Sequence, residues 1–138
     1  MKIKFFGNKP NYATKGAAGA DLIASGKEVL YPGEYKIVYT GSFVEIPKGK
    51  VGLVCPRSGL AAKHGITVLN APGIIDSDYR GEIGVILINL GTDIYEIEEG
   101  ERIAQLVIAS AAHPVFSNVA RLGNTKRGAG GFGSTGRK

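Results

Sequence analysis

The chain has one cysteine, one methionine, two histidines and no tryptophan among its 138 residues. A lone thiol, Cys55, excludes an intramolecular disulfide and any cysteine-rich metal site. It also excludes the Pro-Cys-x-x-Cys signature of the zinc-dependent deaminases. His64 and His113 lie far apart with no ligand-like spacing, so neither argues for a metal or a general base. No apolar run approaches the ~18 residues needed to span a bilayer. Met1-Lys2-Ile3-Lys4-Phe5-Phe6 is too short and too charged for a secretory signal. These absences predict a reducing, cytoplasmic setting and no membrane partner.

Glycine is abundant instead, at 21 residues, and 43% of the chain is hydrophobic, enough for one domain with a true core. Turn residues recurring every ~8–12 positions predict short strands joined by tight turns, and so a mostly β fold. The formal charge of +5 suits a polyanion, either nucleic acid or a nucleotide phosphate. Much of that excess lies in Arg121, Lys126, Arg127, Arg137 and Lys138. Aromatics are too sparse on any one strand face to favour a nucleic-acid-binding barrel, and no nucleic-acid partner is expected.

Period-two alternation predicts strands at Lys2 to Phe6, Tyr35 to Tyr39, Phe43 to Ile46 and Lys50 to Cys55. Tyr31-Pro32-Gly33-Glu34 and Pro47-Lys48-Gly49 are turns between them, and the succession predicts a meander. The period changes at Pro56 to Ile66. One short helix is expected there, with Ser58 capping its amino end and Gly65 as the left-handed stop. Arg57-Ser58-Gly59 is then either an anion site at exposed N–H groups or a plain connector. From Glu82 to Leu90 both faces are apolar, which predicts a central strand or one facing another subunit. Arg102 to Ile108 is a further strand, with Gln105 expected on the side of Ile103 and Val107 and in need of a polar partner.

Three stretches concentrate chemistry. In Gly16 to Ser25 a single acid, Asp21, sits among residues small enough for a ligand or another backbone to approach it; a turn-capping Asp would read the same. In Asn70 to Ile83, Pro72-Gly73 predicts a turn between two short strands folded on each other, and Ile74-Ile75 predicts a core anchor directly before Asp76. That stretch describes a rigid hairpin aiming a carboxylate at a planar ligand, or an acidic turn. In Arg127 to Gly136, successive glycine N–H groups can wrap oxyanions and Phe132 offers a flat face to a base. The Gly128-x-Gly130-x-x-Gly133 spacing is not a dinucleotide fingerprint, because neither a helix nor an acid about 20 residues on follows it. No Gly-Lys-Ser/Thr phosphate loop occurs.

Taken together, the segments resemble the five motifs of the trimeric all-β dUTPases. Ala18-Gly19-Ala20-Asp21-Leu22 is similar to the first and Pro56-Arg57-Ser58-Gly59-Leu60-Ala61 to the second. Gly73-Ile74-Ile75-Asp76-Ser77-Asp78-Tyr79-Arg80-Gly81-Glu82 is similar to the third. Gly100-Glu101-Arg102-Ile103-Ala104-Gln105-Leu106 matches the fourth, and Arg127 to Gly136 the fifth. The resemblance implies a jelly-roll-like β-barrel or sandwich with one short helix over residues 1–126, and a mobile glycine-rich tail over 127–138. It implies a homotrimer with active sites shared between subunits.

The resemblance also implies Mg²⁺-assisted hydrolysis of dUTP to dUMP and pyrophosphate, which limits uracil in DNA and supplies dUMP for thymidylate synthesis. Asp76 would activate the attacking water, and Asp21 would reach the metal through another water. Arg57, Ser58, Gln105, Arg127, Ser134 and Thr135 would hold phosphates, with Gly59, Gly73 and Gly133 completing the substrate-binding set. Asn70 and hairpin backbone would read uracil, Tyr79 would lie beneath the sugar, and Phe132 would cover the base. A dCTP deaminase on a similar fold, which as a family lacks the Phe-containing tail, and a catalytically silent nucleotide sensor are the alternatives.

Overall fold

The computed structural model describes residues 1–138 and contains eleven strands and one helix. The strands are β1 (Lys4–Gly7), β2 (Ala20–Ile23), β3 (Glu28–Leu30), β4 (Tyr35–Tyr39), β5 (Ser42–Glu45) and β6 (Lys50–Cys55). Helix α1 (Ser58–His64) follows, then β7 (Ile66–Val68), β8 (Gly73–Ile75), β9 (Gly84–Asn89), β10 (Tyr95–Ile97) and β11 (Arg102–Ser110). A four-stranded sheet in the order β2-β11-β6-β8 and a three-stranded sheet in the order β4-β9-β7 share one core, and two ribbons, β1-β5 and β3-β10, complete the fold. Inner side chains of both sheets, among them Leu22, Val54, Leu106, Val38, Val85 and Leu87, form one continuous core. The fold is a jelly-roll-like sandwich.

The expected meander is absent, because β4 pairs with β9, β5 with β1 and β6 with β11 and β8. The two expected turns are in place, with Gly33 and Gly49 at φ of 80 and 81°, and a third, unforeseen, lies at Gly41 with φ 66°. Each turn carries the chain from one sheet to another, and a local turn signal does not specify which edge the next strand joins. Strand β9 takes the central place its two apolar faces predicted. Val85 and Leu87 point into the core, while Ile86 and Ile88 lie half-buried on the outer face opposite Ile37 and Tyr35 of β4.

Helix α1 forms at the expected place, but Ser58 is its first helical residue and not its cap. The N-cap is Arg57, in extended conformation and without a side-chain capping bond. The helix stops at Gly65 in the left-handed region, with φ 68°. That glycine abuts another: a Cβ on Gly65 would lie 2.7 Å from the Gly91 nitrogen, and one on Gly91 2.4 Å from the His64 carbonyl oxygen. The Leu90 N–H donates to the Gly65 carbonyl at 2.9 Å, fastening the helix to the chain leaving β9.

Strand β11 contains a register shift between Arg102 and Ala104 where it pairs with β2. The shift changes the inward phase of the strand. Ile103 is buried, yet so are Ala104 and Leu106, and Gln105 shares its outward side with Val107 and not with Ile103. Beyond Ser110 the chain carries neither helix nor strand. Val115 and Phe116 there are almost fully exposed. No helix is long and apolar enough to cross a membrane.

Candidate functional site

Asp21 lies on β2 opposite Gln105 of β11, which is itself opposite Cys55 of β6. Arg57 follows the end of β6, and the β11 register shift redirects Arg102. Both guanidiniums close on the same carboxylate: Arg57 Nε is 3.5 Å from one Asp21 oxygen and Arg102 Nη1 is 3.2 Å from the other. Arg57 Nη1 also donates to the Arg102 carbonyl at 3.0 Å. Asp21 is therefore shielded by two cations rather than left open among small neighbours, and its side chain is 14% exposed. Two positive groups against one negative leave the cleft with a net positive field suited to an oligophosphate.

Ser58, Gly59 and Gln105 line this cleft of about 200 Å³ together with Asp21, Arg57 and Arg102. Nothing stands within 4 Å of the place a Cβ on Gly59 would occupy, so an anion has room against that backbone. Gly19 is required for a different reason, since a Cβ there would lie 2.5 Å from Gln105 Oε1. The Gln105 amide nitrogen donates to the Pro56 carbonyl at 3.0 Å, which supplies the polar partner the sequence demanded.

Asp76 and Tyr79 belong to a second cleft, of about 140 Å³, which shares no lining residue with the first. Asp76 also borders an open groove of about 790 Å³ in which Lys48, Lys50 and Arg80 stand. Its exposed carboxylate takes part in none of the ion pairs of the chain. The predicted pair of mutually folded strands is not found: β8 pairs with β6, and residues 76–83 form a loop. Gly73 is not in the left-handed region; it opens β8, buried against Val54. The turn lies earlier, over Leu69 to Pro72, where Ala71-Pro72 is a cis bond. Of the expected anchor, Ile75 packs on the core while Ile74 is exposed.

Asn70 sits in that turn, exposed, with its amide nitrogen on the side of Gly73. The tail residues stay apart from both clefts. Arg127 Nε donates to the Gly130 carbonyl at 2.8 Å, and the Ser134 and Gly136 N–H groups bond to the carbonyls of Gly131 and Gly133. Phe132 is fully exposed at a φ of 50°. Neither Arg127 nor Phe132, Gly133, Ser134 or Thr135 lines the Asp21 or the Asp76 cleft.

Nowhere do three His, Cys, Asp or Glu side chains converge as a metal cage. Asp21 is the one acid of its cleft. A single carboxylate in a cleft that could take an oligophosphate fits a hard cation such as Mg²⁺ with its other oxygens from phosphates and water.

The family model for dUTPase matches residues 7–136, nearly the entire chain. The chain belongs to the dUTPase family. It is 56% identical over 137 residues to the deoxyuridine 5'-triphosphate nucleotidohydrolase of Treponema denticola, covering 98% of this chain and 95% of that protein. The dUTPase of Staphylococcus bacteriophage 80alpha, solved with dUpNHpp, superposes with a TM-score of 0.88 at 30% identity, over 99% of either chain. A mutant dUTPase from phage phi11 of S. aureus, whose structure shows the coordination of a structural Mg(II) ion, gives 0.82 at 26% identity, over 88% of this chain and 98% of that one.

Within this dUTPase fold, sequence reasoning overlooked Arg102 and the pair Tyr95 and Glu101. The signal for Arg102 was charge alone, an arginine beside an otherwise apolar strand. The Tyr95 hydroxyl donates to the Glu101 carboxylate, whose other oxygen accepts the Glu98 N–H at 3.0 Å. Burial first, and then the hydrogen bond and charge of Glu101, push the Tyr95 phenol well above its ordinary range. His64 at the end of α1 packs on the same ring, with centroids 4.8 Å apart.

Proposed function

We propose that the protein hydrolyses dUTP to dUMP and pyrophosphate, with Asp76 as the base that takes a proton from a water attacking the α-phosphorus. The observation that carries this reading is the contrast between the two acids. Asp21 is neutralised by Arg57 and Arg102, whereas Asp76 follows a core-packed Ile75 and is free to accept a proton. Positioned general-base help contributes about 10²–10⁴ in rate.

Arg57, Ser58, Gly59 and Gln105 bind the phosphate chain by charge and hydrogen bonds, and Arg127, Gly133, Ser134 and Thr135 of the tail close over it. Asn70 and the main chain at Gly73 pair with the uracil edge, Tyr79 lies against the deoxyribose, and Phe132 covers the base. Cytosine is rejected because mismatched donors would remain buried and unpaired. Asp21 would hold Mg²⁺ from the protein side through water, and the ion would offset phosphate charge there. The dUpNHpp bound by the 80alpha enzyme supports this substrate, and the structural Mg(II) ion of the phi11 mutant supports no more than the compatibility of that ion with a dUTPase fold.

The two clefts lie apart in one chain, and each holds half of the required chemistry. A homotrimer with sites built across subunits unites them. The outer apolar face of β9 and the exposed Val115 and Phe116 supply surface for such an assembly. Pyrophosphate release from dUTP, dTTP, dCTP and UTP, with and without Mg²⁺, tests the proposal. Turnover confined to dUTP and dependent on Mg²⁺ is expected. Ammonia released from dCTP, or no turnover of any of the four, would overturn it.

A further inference from the structure

The loop from Asp76 to Ile83 is locked by bonds that the catalytic reading does not use. The Tyr79 hydroxyl donates to the Glu82 carbonyl at 2.8 Å, folding the ring back across Gly81. A Cβ on Gly81 would lie 2.4 Å from the Tyr79 hydroxyl oxygen, 2.5 Å from Cζ and 2.9 Å from Cε2. Every close atom belongs to the far end of this one side chain, and Gly81 is not in the left-handed region. The backbone at position 81 would therefore accept alanine, and the tyrosine ring would have to move.

The exit of the loop is fixed as firmly. A Glu82 carboxylate oxygen accepts the Gly41 N–H at 2.7 Å, and Gly41 is a left-handed turn glycine with φ 66°. The next residue, Ile83, donates to the Ser42 carbonyl at 2.8 Å and accepts the Thr40 hydroxyl at 2.7 Å. On the other flank Arg80 Nη1 donates to the carbonyls of Ser77 and Tyr79, at 2.8 and 2.9 Å. Tyr79, Glu82 and Asp76 line the same cleft.

We propose that Gly81 and Glu82 are positioning residues that set the sugar selectivity of the Asp76 cleft. Bare Gly81 gives the Tyr79 ring its folded seat, and Glu82 ties that seat to the Thr40–Ser42 turn. This rests on the dUTP-hydrolysing reading above. An apolar surface that can yield rejects an added hydroxyl only about 10²-fold. A ring held at both its backbone and its hydroxyl cannot retreat, so a ribose 2′-hydroxyl meets a fixed wall and gains no partner there.

The test is kcat and KM for dUTP and UTP in the parent, Gly81→Ala, Glu82→Ala and Glu82→Gln, with thermal melts to confirm folding. In Gly81→Ala the ratio of kcat/KM for dUTP over UTP should fall at least about tenfold. The KM for dUTP should rise while kcat changes less. Glu82→Ala should lower the ratio in the same direction, and Glu82→Gln, which keeps an oxygen for the Gly41 N–H, should restore most of it. If Gly81→Ala does not fold, the two Glu82 variants decide alone. A parent-like ratio in both alanine variants, with dUTP still turned over, overturns the inference and leaves the activity standing. A parent that does not hydrolyse dUTP overturns both.

Discussion

Arg102 reaches Asp21 across 81 positions of sequence and Arg57 reaches the Arg102 carbonyl across 45, while the side-chain bonds inside the Asp76 loop span three positions or fewer. The first cleft exists only when β2, β6 and β11 have paired. The loop carries much of its own shape and needs the body for its anchorage at Gly41. Damage to the core should therefore erase the first cleft along with the fold, and damage within the loop should change chemistry and spare the fold.

The largest effect expected is at the loop. Asp76→Asn should lower kcat by about 10²–10⁴ with nucleotide binding and melting temperature nearly unchanged, as read by pyrophosphate release and calorimetry. A near-parent rate would move the base elsewhere. Leu22→Ala tests the opposite side of the comparison, because Leu22 is fully buried next to Asp21. It should cost about 2–5 kcal/mol in urea unfolding. A loss below about 1 kcal/mol would show that the Asp21 strand is not held by the core as described.

Removing residues 128–138 should leave the melt unchanged, since the tail bonds only to itself and to Thr125, yet reduce turnover about tenfold or more. A lowered melting temperature would instead show that the tail helps hold the body together.

The smallest effect belongs to Tyr95. Tyr95→Phe should cost about 0.5–1.5 kcal/mol at neutral pH through the lost bond to Glu101. With its folded pKa raised, the phenol loses its proton first in the unfolded chain. Its contribution is complete below about pH 10 and declines as pH rises beyond it. Urea melts at about pH 8 and pH 10.5 should show that decline in the parent and a flatter profile in the variant.

How far the sequence disclosed this structure depends on whether its signals were local. Strands β1, β4, β5, β6, β9 and β11, the helix over 58–64 and its Gly65 stop were legible because periodicity and a left-handed glycine act within a few residues, whereas β2, β3 and β7 drew no strand reading. Asp21, Arg57, Ser58, Gly59 and Gln105 were singled out and do share one cleft. The strand pairing was not legible, because β4 joins β9 across some fifty residues and nothing in either turn names that partner. Ser58 was misread as a cap because its chemistry suits the role, whereas the extended residue is Arg57. The β11 register shift has no glycine to announce it, so the placement of Arg102 on Asp21 and the separation of Gln105 from Ile103 were hidden. Gly81 and Glu82 drew no reading of their own, because the ring above one and the N–H facing the other are set by the folded loop and the Gly41 turn.

The contact between Gly65 and Gly91 joins two main chains with no side chain between them. One lies at the far end of the helix that begins at Ser58 in the Asp21 cleft, the other just past the central strand. A methyl group at either position would push that helix bodily outward, so a library randomised at both sites and selected for turnover should return glycine twice. Position 91 lines neither cleft, yet it would rank in such a screen beside residues that do.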